Sequence, residues 1–276
     1  MARRRILKEV LREQDLVLGL FQQIVYPEVT EDLALCGFDY IIVDLEHTGK
    51  TIESAAPCIV MGAAMNVPIL VRVADKEQFL IEQALDAGAQ GVVVPTVETA
   101  EDCELIVRSA KFAPEGERGW CNVLPAKRWL NDWAGDEYRD DFDPDTYCRR
   151  ANEQIFLAAL VETPVGIANL PAMLNVEGID AFLLGSGDLS IRMGKSLWDP
   201  DVAGLVSDAI DSIQAAGKIS CPIGLASNVN NLYDNGSRMM MLGIGERCAL
   251  QSTLRGEVAN MRAAVPSPAV PINTAT

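Results

Sequence analysis

The stretch Phe38-Asp39-Tyr40-Ile41-Ile42-Val43-Asp44-Leu45-Glu46-His47 changes character half-way along. Its first part is an apolar, β-branched run, the pattern of a strand buried on both faces. Its end carries Asp44, Glu46 and His47, three groups able to bind or move protons. His47 is the only histidine in the sequence. A general base working near neutral pH is most often a histidine, so His47 is the one imidazole available for that work. The plainer alternative is a surface or helix-capping histidine just past a strand.

Strand-like and helix-like segments alternate on both sides of this stretch. Upstream, residues 6–13 read as a short amphipathic helix and 16–22 as a strand, and a helix through 30–35 is closed by Gly37. Downstream come a helix over 52–65, a strand over 68–73, a helix over 76–87 ended by Gly88, and a strand over 91–95. Thr99 opens the next helix, 99–111, with Asp102 three residues on, an acidic variant of the capping box. Residues 112–145 break the rhythm with a polar segment carrying Trp120, Trp129 and Trp133, three of the four tryptophans. A loop of this length marks a lid, a binding loop or an interface, or else an insertion that covers the mouth of the fold. Strands over 155–161, 181–184, 220–225 and 238–242 then alternate with helices ending near 174 and spanning 202–216, 228–234 and 249–264.

Eight βα repeats in 276 residues predict an α/β fold, a single-domain (β/α)8 TIM barrel over residues 16–264, with a doubly wound open sheet as the alternative. Residues 1–15 form an N-terminal helical segment, and 265–276, rich in Pro, Ala and Thr, a flexible tail. Gly185-Ser186-Gly187 is no dinucleotide fingerprint, because the third glycine is missing at its spacing.

Composition narrows the partners. A formal net charge of −16 and a pI near 4.5 argue against nucleic acid and against an anionic membrane surface, both of which need a basic face. Seven scattered cysteines, an odd number with no CxxC, predict reduced thiols in a cytoplasmic protein, mostly packed inside. Met1-Ala2-Arg3-Arg4-Arg5 is basic but no apolar signal core follows, and no run approaches the roughly 18 apolar residues of a membrane span.

In a barrel the chemistry sits where strands end. The second strand delivers Asp44, Glu46 and His47, the third Arg72, and the fifth Glu162; Asp188 follows the sixth and Glu246 the eighth. Singly, Arg72 could pair with a neighbouring carboxylate, Asp188 could cap a helix and Glu162 could be rim charge. Together they make an oxygen-rich site suited to Mg2+, Mn2+ or a similar ion, beside an arginine and a base. That is equipment for chemistry through an enolate held by a metal ion.

The chain resembles the HpcH/HpaI family of metal-dependent class II pyruvate aldolases. The resemblance covers residues 18–263 and is carried by Gly37-Phe38-Asp39 through Asp44-Leu45-Glu46-His47, by Val71-Arg72-Val73 and by Leu85-Asp86-Ala87-Gly88-Ala89-Gln90. Val94-Pro95-Thr96-Val97-Glu98-Thr99-Ala100, Pro114-Glu115-Gly116-Glu117-Arg118-Gly119, Val161-Glu162-Thr163 and Val176-Glu177-Gly178-Ile179-Asp180 continue it in the same order and spacing. The resemblance implies that 4-hydroxy-2-oxo acids are cleaved to pyruvate and an aldehyde, with Mg2+, Mn2+ or Co2+ as cofactor. It implies Glu162 and Asp188 as metal ligands, Arg72 on the pyruvyl oxygen, and His47 with Asp86 as a base dyad. It also implies Arg118 on the aldehyde partner and backbone amides near Gly187 and Asp188 on the pyruvate carboxylate. A homohexamer, a trimer of dimers with the last helix exchanged, is the implied assembly.

Three departures bear on specificity. The family's Gly-Pro-x-Asp-Leu is Gly185-Ser186-Gly187-Asp188-Leu189 here, a common Gln is Leu160, and the segment between Arg118 and Asn152 is longer. Two other functions stand beside the aldolase. One is a CoA-ester lyase of the citryl- or malyl-CoA lyase type, which shares the acidic ligands but not the Glu46-His47 pairing. The other is a non-catalytic metabolite-binding barrel.

Overall fold

The computed structural model describes residues 5–121 and 143–265. Trp129, Trp133, most of the interrupting segment and the tail beyond 265 lie outside the described residues. The expected barrel is present. Nine parallel strands, β1 (Val17–Gln22), β2 (Tyr40–Asp44), β3 (Ile69–Arg72), β4 (Gly91–Val94), β5 (Phe156–Val161), β6 (Ala181–Leu184), β7 (Ile219–Cys221), β8 (Ile223–Gly224) and β9 (Met239–Leu242), form one sheet. Its order is β7-β6-β5-β4-β3-β2-β1-β9-β8.

The two ends of that sheet are one run of chain. The single strand expected over 220–225 is divided at Pro222, which has no N–H to give to a ladder. Its first half pairs with β6 and its second half with β9, and this bridges the ends into a barrel.

Helices return the chain between strands. They are α1 (Leu7–Glu13), α2 (Pro27–Leu35), α3 (Ile52–Ala64), α4 (Gln78–Asp86), α5 (Ala100–Ala110), α6 (Pro144–Gln154), α7 (Pro164–Met173), α8 (Ser186–Arg192), α9 (Pro200–Ala215), α10 (Val229–Asp234) and α11 (Glu246–Ala264). The capping box expected at Thr99 and Asp102 is formed in both directions. Helix α6 was not expected. Its signal is Asp143-Pro144: the Asp143 side chain accepts from the N–H groups of Asp145 and Thr146, and proline takes the first helical position.

The strands are buried on both faces, and their period of two divides the core. Ile41, Val43, Val71 and Val92 pack outward against helices. Tyr40, Ile42, Leu70, Phe156, Ala158 and Leu160 fill the barrel. Gly19 makes room for that filling, since a Cβ there would lie 2.3 Å from the Tyr40 ring. Leu7 and Val10 of α1 join the inner cluster, and the Leu7 N–H donates to Gln90 Oε1 just before β4. Helix α1 therefore plugs the end of the barrel where strands begin. Helix α11 behaves differently: no residue of it is buried. Of the seven cysteines, Cys58, Cys103 and Cys221 are buried while Cys36, Cys121 and Cys248 are exposed. The expectation of mostly internal thiols is thus only partly met.

Candidate active site

The same alternation that sends Tyr40 and Ile42 inward sends Asp44 inward one step further. Leu70 leads in this way to Arg72, and Leu160 to Glu162. Asp44 stands opposite Arg72 in the β2/β3 register. Three charged side chains thus converge inside the barrel where strands end, and all are buried.

Arg72 is held on several sides. Its Nε donates to Asp44 Oδ1 at 2.9 Å and its Nη2 to Asp44 Oδ2 at 2.7 Å, a two-pronged pair fixed in one plane. The Phe21 ring lies under the guanidinium, 4.0 Å from Cζ to centroid. Nη1 is 3.1 Å from Glu46 Oε2, close enough for an ion pair but out of line for a hydrogen bond, since that oxygen has no hydrogen-bond partner. Asp44 Oδ1 also accepts the N–H groups of Glu46 and His47. Asp44 therefore anchors both Arg72 and the turn that carries Glu46 and His47. His47 Nε2 stands 3.8 Å from Glu46 Oε2, with the imidazole half-exposed.

Glu162 faces this group from β5. Its Oε1 accepts the Thr96 N–H at 2.9 Å and the Thr96 hydroxyl at 3.1 Å. Burial pushes its carboxyl above the usual range; the charge of Asp188 adds to that, while Thr96 and Arg72 oppose it. Glu46 is also pushed upward by burial, against the pull of Arg72 and with a further push from Glu162. Gly185 stands at the next inward position, past β6, where a Cβ would lie 2.7 Å from Glu162 Cβ and 2.9 Å from its Oε2. Only glycine leaves Glu162 its place. Gly187 and Asp188 lie in the first turn of α8, whose amides have no acceptor within the helix.

A buried carboxylate held beside a second one and bonded through one oxygen fits a divalent cation with hard oxygen preference. Among the described residues no group of three or more His, Cys, Asp or Glu side chains stands ready to enclose a metal. Glu162 and Asp188, whose charges act on one another, are the two carboxylates that could hold such a cation.

Two expected site residues are elsewhere. Asp86 ends α4 and precedes β4, so it stands where strands begin, at the opposite end of the barrel from His47. There it accepts from Arg118 Nη2 at 2.8 Å. Arg118 is buried beneath Phe112, with Cζ 4.7 Å from the ring centroid and Nε without a partner. The expected His47–Asp86 dyad is not formed within one chain, because the helix that carries Asp86 has returned to the far end of the barrel. Glu246 is a clasp at the start of α11, and its Oε1 accepts the N–H groups of Gln23 and Ile24. Sequence reasoning gave no role to Phe21, Thr96 or Gly185; an apolar residue, a turn residue and a glycine carry no chemical signal until neighbouring strands bring them against Arg72 and Glu162.

A fixed guanidinium, two carboxylates and one histidine stand at the strand-end face of a (β/α)8 barrel, the face where this architecture carries its chemistry. The model of the HpcH/HpaI aldolase/citrate lyase family matches residues 18–244, and the chain belongs to that family. It is 32% identical to a hydroxypyruvate/pyruvate aldolase of Roseovarius nubinhibens, over 92% of this chain and 96% of the relative. It is 33% identical to a 2-keto-3-deoxy-L-rhamnonate aldolase of Salmonella gallinarum, over 76% of each chain. The solved HpcH/HpaI aldolase of Desulfitobacterium hafniense DCB-2 superposes with a TM-score of 0.85 at 24% identity, covering 95% of this chain and 98% of that one.

Proposed function

We propose that this chain is a divalent-metal-dependent aldolase that reversibly cleaves 4-hydroxy-2-oxo acids to pyruvate, or a related 2-oxo acid, and an aldehyde. The observation that carries the reading is Arg72, clamped by Asp44 and Phe21 with N–H groups to spare beside Glu162. Mg2+, Mn2+ or Co2+ held by Glu162 and Asp188 would supply Lewis acidity to the 2-oxo acid end when bound. The amides of Gly187 and Asp188 bind the substrate carboxylate. His47 accepts the proton of the 4-hydroxyl, the C3–C4 bond breaks, and the aldehyde leaves as its carbonyl forms. The electron pair of that bond passes to the pyruvate enolate, whose oxygen Arg72 holds by charge and hydrogen bonds until C3 is protonated.

Asp86 and Arg118 stand at the far end of their own barrel. The roles the family resemblance gives them, supporting His47 and meeting the aldehyde, are open to them only across a contact between copies. A homo-oligomer fits this, and α11 supports it: Leu250, Leu254, Val258 and Met261 form an exposed apolar row on a helix none of whose residues is buried. A hexamer built as a trimer of dimers with α11 exchanged is our reading of the assembly. The protein is read as cytoplasmic, in keeping with seven cysteines that are all thiols. Among the described residues no helix is long and apolar enough to cross a membrane.

The test is pyruvate release from a panel of free 4-hydroxy-2-oxo acids, coupled to lactate dehydrogenase, run beside acetyl-CoA release from a panel of 3-hydroxyacyl-CoA thioesters. We expect release from the free acids with Mg2+, Mn2+ or Co2+, and none in EDTA. Cleavage confined to the thioesters would overturn the aldolase reading in favour of a CoA-ester lyase.

A further inference from the structure

Thr96 has a left-handed backbone, φ +49°, shared among the described non-glycine residues only with Asn66. Asparagine tolerates that conformation; a β-branched residue is strained in it. Glycine would relieve the strain, so the threonine side chain must contribute something glycine lacks. Its hydroxyl and its N–H converge on one oxygen, Glu162 Oε1. The other oxygen, Oε2, faces Gly185 at the start of α8, the helix that carries Asp188.

The turn around Thr96 is fastened on both sides. The Val97 N–H donates to Leu160 O of β5. The Thr163 hydroxyl donates to Glu98 Oε1 at 2.7 Å, and the Asn169 amide donates to Glu98 O. Asp102 accepts the N–H groups of Glu98 and Thr99. These bonds tie residues 97–99 to β5, to α7 and to the start of α5, and they hold the backbone of Thr96 in its strained form.

We propose that Thr96 is a positioning residue for the metal site: it occupies Oε1 of Glu162 with two donors and so presets Oε2 toward Asp188 for a divalent cation. The inference rests on the reading of Glu162 and Asp188 as ligands. Its test is Mn2+ binding to the metal-stripped full chain by titration calorimetry, which requires no substrate. Thr96→Ser keeps the hydroxyl and is expected to bind within twofold of the native protein. Thr96→Val removes the hydroxyl with little change of shape, and Thr96→Gly removes it while relieving the backbone. Each is expected to bind Mn2+ about 10-fold more weakly, the scale of losing a group that orients a ligand. Binding by Thr96→Gly within twofold of native overturns the proposal, and this variant decides should Thr96→Val fail to fold. Glu162→Gln and Asp188→Asn separate the two levels. If both bind Mn2+ as native protein does, the metal site itself is misread; if both lose it while Thr96→Gly keeps it, only the role of Thr96 falls.

Discussion

Arg72 is the residue on which the charge of the site turns. Its partner Asp44 is fully buried, so the pair contributes geometry more than stability: two buried charges recover about what desolvation costs them, whereas removing one leaves the other stranded. A lysine at this position would keep the charge but lose the fork that fits Asp44 and the flat face that rests on Phe21. Arg72→Lys is therefore expected to lower kcat by about 100-fold or more while Mn2+ affinity changes little. Steady-state kinetics and calorimetry check this, and near-native kcat would contradict it. At this scale the sequence was partly legible. Arg72, Glu162, Asp188 and His47 stood out as charged or titratable groups at strand ends. Asp44 looked like one more proton carrier, and only the β2/β3 register makes it an anchor. Thr96 stood only as one residue of a motif, and the two donors it gives Glu162 appear only in the structure.

Elements decide which residues can meet. Helix α4 begins beyond the strand-end face and finishes at the strand-start end, which is why Asp86 meets Arg118 and not His47. The sequence carried the position of Asp86 within its motif but not this reversal of direction. Helix ends with side-chain chemistry were legible, as the Thr99/Asp102 box demonstrates. The division of β7 from β8 at Pro222 needed the observation that one strand pairs on different sides before and after the proline. If Asp86 acts on His47 between copies, two inactive variants can repair each other. His47→Ala and Asp86→Ala are each expected to be nearly inactive alone. Refolded together at equal amounts, they should regain about one quarter of native activity, because one site in four then receives both native residues. Mixtures as inactive as the parents would contradict the exchange.

The whole molecule is a barrel whose filling and whose site follow from one alternation. Inward positions are apolar along most of β2, β3 and β5 and become Asp44, Arg72 and Glu162 at the end. Helix α1 closes the far end with Leu7 and Val10. The fold was legible because eight apolar runs recur between helical patterns. The face that holds the chemistry followed from the fold. The hexamer is an expectation drawn from the family resemblance alone; the exposed apolar row on α11 came to light only with the structure. The central claim is that this face forms the enolate of pyruvate. The most direct measurement needs no knowledge of the aldehyde: proton NMR of pyruvate incubated with the protein in D2O. With Mg2+ the account predicts that the methyl signal decays as C3 exchanges with solvent, and that EDTA or Arg72→Lys stops the decay. A methyl signal that persists with every divalent ion tried would contradict the account.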